Sequence, residues 1–488
     1  MPFKINKRAI ILIELFFLAF FLRFIFINKG PFHYDTLDLA IASQKTLDSL
    51  SLHYESHGTG FPLTVIVGAF TIFVLKFFGL TDPVTCVNFM SVVTGALGVL
   101  LLFFVADKLF DFPKAMFSAF LLACFAPHVA ISTFGKSLTL SICLALASVY
   151  FMLLYKEKQR SRDLLLSAVF LGFCAAARLS DTLAALPISY LYFSGSRINR
   201  GQLRSFVAFA AIAGFVAFIY YFPLILERGL DPFFQTLMRS DQSRFLGIFS
   251  FVSEKALKWE LTYFTPLGVL CIAFGFLLML AKKKIKEFNF LAIWFIVLHS
   301  FYGNVSSSGP RYLVIAWVAP ILALGYFLGS FKGRLFYWTS IIFLIIAFFG
   351  FERYIPVLLF RHERALQVEF AQWVAKKTPV DSTIIAMDES IFLKYYGRRR
   401  TLEHPITCDE DFLDKYFDEE IGALLKEGKK VYIISSGSAY DPCRKFEKIL
   451  FKNCNLLLIG ERFNEDWHHS LLNRFIFRER LYEITLKP

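Results

Sequence analysis

The chain has 488 residues, of which 56% are hydrophobic and 60 are phenylalanine. That composition excludes an ordinary soluble domain, and apolar runs near the bilayer-crossing length of about 20 residues recur along the chain. The net charge of +13 is not a nucleic-acid footprint, because its Lys and Arg punctuate the apolar runs and so report topology.

In lipid every backbone polar group has to be paired within the chain, so the apolar runs predict helices. The first, 9–28, follows Lys4, Lys7 and Arg8. It lacks a small-residue cleavage site before the polar stretch, which predicts an anchor and not a removed leader. Further spans are predicted at 85–106, 115–134, 138–155, 164–177, 182–193, 206–222, 261–281, 288–301, 312–328 and 335–349, about eleven in all. The run 61–79 is also long enough to cross, but charge decides against it. Without it, Lys4/Lys7/Arg8, Lys108/Lys114, Lys282 to Lys286 and the clusters at 156–162, 197–204 and 332–334 all fall on one side. That side is the cytoplasm by the positive-inside rule. Residues 61–79 are therefore predicted to dip into the membrane without crossing it. The segments 30–82, 223–260, 302–311 and everything after 352 then face outward.

After about residue 352 the charged fraction rises and the apolar runs shorten. Strands are predicted at 383–387, 430–435, 455–459 and 480–486, with helices at 363–377, 411–426 and 444–451. The expected fold is thus an α-helical polytopic membrane domain, 1–350, followed by a small extracytoplasmic α/β domain, 351–488. No internal repeat and no Gly-rich phosphate loop is visible. Cys86, Cys124, Cys143, Cys174 and Cys271 lie in or beside apolar spans and read as packing residues. Cys408, Cys443 and Cys454 fall in the outer domain, where one disulfide is possible and three cysteines cannot all pair. Asn304-Val305-Ser306 is a glycosylation sequon on an outer loop.

Polar chemistry is concentrated in 30–82, which holds His33, His53 and His57 and the acids Asp35, Asp38, Asp48 and Glu55. Asp35 stands just beyond the first span, at the water–lipid boundary. It reads either as the N-cap of a helix running to Leu50 or as a catalytic carboxylate. His33 is a hydrogen-bond partner for Asp35. His53 and His57 have metal-ligand spacing, but no third ligand is evident. Elsewhere Lys136, Arg178 and Arg311 lie at outer ends of spans, where charge near lipid is costly. Arg178 is placed to pair with Asp181 at i, i+3, and Arg311 to snorkel to headgroups. Fixed cations together with one carboxylate suit a phosphate-bearing lipid reacting with a hydroxyl acceptor. Glu14 and Arg23, inside the first span, are the exceptions to this terminal placement. A transporter or flippase would need such charges to form a path along the membrane midplane.

The order Phe32-His33-Tyr34-Asp35, Gly60-Phe61-Pro62-Leu63, Ala177-Arg178-Leu179-Ser180-Asp181 and Gly309-Pro310-Arg311-Tyr312 resembles the C-type integral-membrane glycosyltransferases. Protein O-mannosyltransferases and aminoarabinose transferases belong to that family. The resemblance covers roughly 9–349. It implies an inverting transfer of sugar from a polyprenyl-phosphate carrier to a lipid, glycan or protein acceptor at the outer face of the cell membrane. It also implies Asp35 as catalytic base, Lys136, Arg178 and Arg311 on the donor phosphate, and His33, Tyr34, His53, His57 and Tyr312 as acceptor or supporting residues. The chain departs from many relatives by having Asp35-Thr36 where they have Asp-Glu, and Lys136 where they place an acid. No metal cofactor is expected on that ground.

Overall fold

The computed structural model describes residues 7–56, 60–195, 199–230, 254–303, 310–387, 389–437, 443–465 and 476–487. Its contacts divide the chain into two units. One comprises Met1–Asn28 and Leu39–His362, the other Lys29–Asp38 and Glu363–Pro488. The dividing point therefore lies at 362/363, and the ten residues around His33 and Asp35 go with the second unit.

The first unit is helical: α1 Lys7–Phe24, α2 Tyr34–Ser49 (from Leu39 onward), α3 Pro62–Lys76, α4 Pro83–Leu109, α5 Phe112–Cys124, α6 Ala126–Ile131, α7 Ser137–Lys158, α8 Ser161–Ala177, α9 Ala185–Phe193, α10 Arg200–Arg228, α11 Glu254–Ala281, α12 Ile285–Gly303, α13 Val318–Leu328, α14 Arg334–Glu352 and α15 Ile355–Glu363. Among the described residues α4, α7, α10, α14 and Leu257–Ala281 of α11 are long and apolar enough to cross a membrane, and the chain is a multi-pass membrane protein. α7 and α4 are the inner helices, with most of their length buried, whereas α10, α11 and α14 turn most of theirs outward. Small residues let neighbouring helices close up. A Cβ at Gly325 on α13 would collide with Ser118 on α5, a backbone approach typical of membrane helix pairs.

Every expected span is helical, but not every one is a single rod. The span 115–134 breaks at Phe125, because Pro127 cannot continue the α5 ladder and opens α6 instead. Residues 182–193 and 312–328 each start as a 3₁₀ turn, Leu179–Ala184 and Pro310–Val314. α11 is kinked at Thr265, immediately before Pro266. α10 runs through Pro223 to Arg228, so the first residues of the expected outward-facing segment 223–260, Glu227 among them, are helical. With 15 residues, α3 reaches about 22 Å, short of a hydrocarbon core of about 30 Å.

Arg23 is wholly buried, and among the described residues no carboxylate pairs with it. Its Nη1 donates to the carbonyls of Ala19 (2.7 Å) and Ala123 (3.3 Å), and Nη2 to that of Leu122 (3.3 Å). Nη2 also meets His128 Nδ1 at 2.6 Å. The cation thus closes on the carbonyl end of α5, where the helix dipole is negative, and secures the α5–α6 break. Glu14 lies on the exposed side of α1.

In the second unit a five-stranded sheet has the order β2-β1-β3-β5-β4. The strands are β1 Thr383–Ala386, β2 Arg400–Glu403, β3 Val431–Ile434, β4 Cys454–Glu465 and β5 Ile476–Leu486. β2, β1 and β3 are parallel, and β5 runs antiparallel to both β3 and β4. Helices α16 Leu366–Lys377, α17 Ser390–Tyr395, α18 Glu410–Tyr416, α19 Ala423–Lys426 and α20 Lys445–Asn453 surround it. Ile385, Leu413, Ile421, Val431, Phe446 and Leu450 form its core. β2 was not expected, since an edge strand reading Arg-Thr-Leu-Glu carries no run of apolar residues. Cys408 and Cys443 form the disulfide, and Cys454 is a buried thiol.

Candidate functional site

Three turns of the first unit are fixed by hydrogen bonds that run between distant parts of the chain. The turn before α7 is held by Asn88 on α4, whose Oδ1 accepts from the Gly135 amide (2.7 Å) while its Nδ2 donates to the Asn28 carbonyl (3.1 Å). The Asn28 amide in turn donates to the Thr133 carbonyl (3.0 Å). This leaves Lys136 as the N-cap residue of α7, without a side-chain cap, its amide donating to Ser91 Oγ (3.3 Å). At the end of α8, Thr64 Oγ1 on α3 donates to the Ala177 carbonyl (3.1 Å) and Tyr221 on α10 to that of Ala175 (2.9 Å). The next residue, Arg178, heads the 3₁₀ turn. The third turn carries Arg311 and is held by Trp294 Nε1 on α12, which donates to the Ile315 carbonyl (2.8 Å).

These turns bring three buried cations to one aromatic ring. Tyr312 has Arg178 at 4.8 Å, Arg311 at 4.9 Å and Lys136 at 5.7 Å from its centroid. Arg311 Nη2 also donates to the Tyr312 hydroxyl (3.2 Å). Tyr302 at the end of α12 stacks on Tyr312, with ring centroids 6.1 Å apart and planes 10° from parallel. Arg178 lies 5.9 Å from the Tyr302 ring and 5.9 Å from that of Phe61. Its Nε faces Asp181 Oδ1 at 3.6 Å, and its Nη1 reaches Ser137 Oγ at 3.4 Å. Asp181 accepts hydrogen bonds from the Ser141 and Tyr302 hydroxyls. The Arg178–Asp181 pair expected from their spacing is therefore present.

The placement of the cations runs against local electrostatics. The N-terminus of a helix carries partial positive charge and favours an anion. Here the N-cap of the 22-residue α7 is a lysine, and an arginine reaches the hydroxyl of the first helical residue, Ser137. Cations concentrated at a positive helix end, under aromatic faces that stabilise them, are an arrangement whose charge suits an anionic group such as a phosphate.

Asp35 belongs to the second unit. α2 begins at Tyr34, so Asp35 sits within its first turn and does not cap it, which corrects the N-cap reading. Its Oδ2 lies 3.2 Å from His33 Nδ1, and the Asp35 amide donates to that nitrogen at 3.0 Å. Both residues are buried, and the His33 ring stacks on Tyr34 at 4.9 Å. His53 is bound to Thr46, Ser49 and Ser51 at the other end of α2. His57, Asp231, Asp241 and the sequon at Asn304 lie outside the described residues. Among the described residues no three His, Cys, Asp or Glu side chains gather as metal ligands.

Sequence reasoning missed Tyr302, Ser137 and Ser141, and noted Phe61 only as part of the Gly60-Phe61-Pro62-Leu63 motif. The polar alternation Ser137, Thr139, Ser141 on the most buried helix was the available signal, since hydroxyls inside a membrane bundle need partners. Nothing local marks Tyr302 apart from the many other aromatic residues near the membrane surface.

The sequence from 65 to 226 matches the family model described as dolichyl-phosphate-mannose-protein mannosyltransferase. The comparison with curated proteins gives no match. Among solved structures, the chain is similar to ArnT from Cupriavidus metallidurans in the apo state, with a TM-score of 0.66, 14% identity and 98% of each chain covered. The same protein bound to undecaprenyl phosphate gives 0.63 at 14% identity and the same coverage. The oligosaccharyltransferase of Archaeoglobus fulgidus, tethered to an acceptor peptide, gives 0.55 at 13% identity over 98% of this chain and 76% of that one. At these identities the likeness is one of fold, and that fold is the one expected from the resemblance to C-type glycosyltransferases.

Proposed function

We propose that the chain is a membrane glycosyltransferase that moves a sugar from a polyprenyl-phosphate carrier to an acceptor hydroxyl at the outer face of the cell membrane. The observation that carries this reading is the meeting of Lys136, Arg178 and Arg311 on Tyr312 at the N-terminus of α7. In the reaction the bond between the anomeric carbon and the carrier phosphate oxygen breaks as the acceptor oxygen attacks from the opposite face. Lys136 and Arg311 stabilise the departing phosphate, with Arg178 held beside them by Asp181. Asp35, beside His33, takes the proton of the acceptor hydroxyl. The configuration at the anomeric carbon inverts, and no metal is required in this scheme. The N-terminus is assigned to the cytoplasm and the second unit to the outer side, from the one-sided distribution of Lys and Arg in 1–350.

The fold likeness to a protein solved with undecaprenyl phosphate supports a lipid-linked donor. The rival transport reading asks for charges along the midplane. Arg23, the buried candidate for such a path, is instead enclosed by carbonyls and His128. The test is a panel of radiolabelled polyprenyl-phosphate sugars given to membranes containing this protein. Label should pass from one carrier into the lipid, glycan or protein fraction and should not do so with Asp35→Asn. Translocation of an intact lipid-linked sugar without transfer would overturn the reading.

A further inference from the structure

The residue that opens α3 is in an unfavourable conformation. Phe61 has φ 42° and ψ 56°, a left-handed backbone that bulky L-residues rarely adopt. Pro62 follows it, and a residue before proline is normally pushed toward extended geometry. Gly60, also left-handed at φ 60°, is confined by Tyr54 and Leu224. A glycine at 61 would remove the strain, yet the position holds a large aromatic side chain.

The strain has a local product. The Phe61 ring centroid lies 5.9 Å from the guanidinium of Arg178. The first turn of α3 is also fastened to that site, because Thr64 Oγ1 donates to the carbonyl of Ala177, the residue before Arg178. Phe61, Tyr302 and Tyr312 together surround the guanidinium, while Asp181 faces its Nε. Strained backbone kept at a ligand site commonly serves pre-organisation.

We infer that Phe61 is a positioning residue, whose ring, delivered by the left-handed turn, completes the aromatic enclosure that sets Arg178 for the phosphate of the carrier. This inference rests on the carrier reading above. Phe61 touches no reacting atom and acts through Arg178. The quality required at 61 is therefore an aromatic face, not bulk and not backbone freedom.

The test measures binding of undecaprenyl phosphate to the full-length protein in nanodiscs, for wild type, Phe61→Leu, Phe61→Tyr, Phe61→Gly and Arg311→Ala, with the Tm of each. Phe61→Leu keeps apolar bulk and loses the π face, and should bind about 5- to 10-fold more weakly. Phe61→Tyr should restore binding to within about twofold. Phe61→Gly relaxes the backbone and should nevertheless bind as weakly as the Leu variant. A donor KM that rises while kcat at saturating donor stays level would accompany these losses. Equal binding by the Leu and Tyr variants at matched Tm would overturn the inference and leave the carrier site standing. No binding by wild type, or binding unaffected by Arg311→Ala, would overturn the carrier reading and this inference with it.

Discussion

Arg178 and Asp181 face each other at 3.6 Å, both almost fully removed from solvent, one residue at the head of a 3₁₀ turn and the other inside it. A buried pair of this kind holds its turn only while both charges are present, since either one alone is left uncompensated. Asp181→Asn keeps a shape that Ser141 and Tyr302 can still hydrogen-bond, and removes the charge. Thermal unfolding in detergent should show a loss of about 3 kcal/mol. The double variant Arg178→Met/Asp181→Leu should recover most of that stability without recovering donor use. A single variant as stable as wild type would make the pair incidental.

Arg311 offers a planar fork of donors that matches the geometry of a phosphate. A charge-assisted contact of this type contributes about 1.5–3 kcal/mol. Arg311→Ala should therefore weaken use of the lipid-linked donor by roughly 10- to 100-fold in protein that remains folded. Donor dependence identical to wild type would remove Arg311 from the site.

Asp35→Asn retains the size and polarity of the side chain beside His33, so the start of α2 should survive the change. The base is lost, and turnover should fall by roughly 100-fold or more. Measured turnover near wild type in a well-folded variant would reduce Asp35 to a first-turn carboxylate that complements the helix dipole. Glu227, Asp231 and Asp241, acids of the segment 223–260 expected to face outward, would then be the carboxylates to substitute next.

In the second unit, Glu479 is wholly buried on β5, with Asn464 Nδ2 donating to its Oε2 at 2.8 Å. Burial raises its pKa from 4.5 to about 7, against the hydrogen bonds from Ser436 and Asn464 that favour the charged form. In the unfolded chain the proton leaves near pH 4.5, whereas the folded state keeps it to about pH 7. Between those values the folded state binds more protons, so stability falls as pH rises and levels off above about 7. The change across the window is of order 3 kcal/mol. Denaturant unfolding of wild type and Glu479→Gln from pH 4.5 to 7.5 should show that slope in wild type and a flatter one in the variant. Parallel profiles would show that Glu479 is not the group responsible.

Most of the architecture was legible in the chain, because a bilayer imposes a simple rule. Apolar runs such as 85–106 and 138–155 had to be helices, and α4 and α7 are. The strands at 383, 431 and 480 were legible from their β-branched and apolar content, and β2 was not, since an edge strand needs no such content. Arg178 and Asp181 could be paired by spacing, being local partners. Tertiary structure decided what spacing cannot express. Lys136, Arg178 and Arg311 were each legible as costly charges at the ends of spans. That all three meet on the ring of Tyr312 depends on Asn88, Thr64 and Trp294 reaching across the bundle to hold three separate turns. The role of Phe61 was equally hidden, because a strained φ is a property of the folded backbone and leaves no trace in residue type.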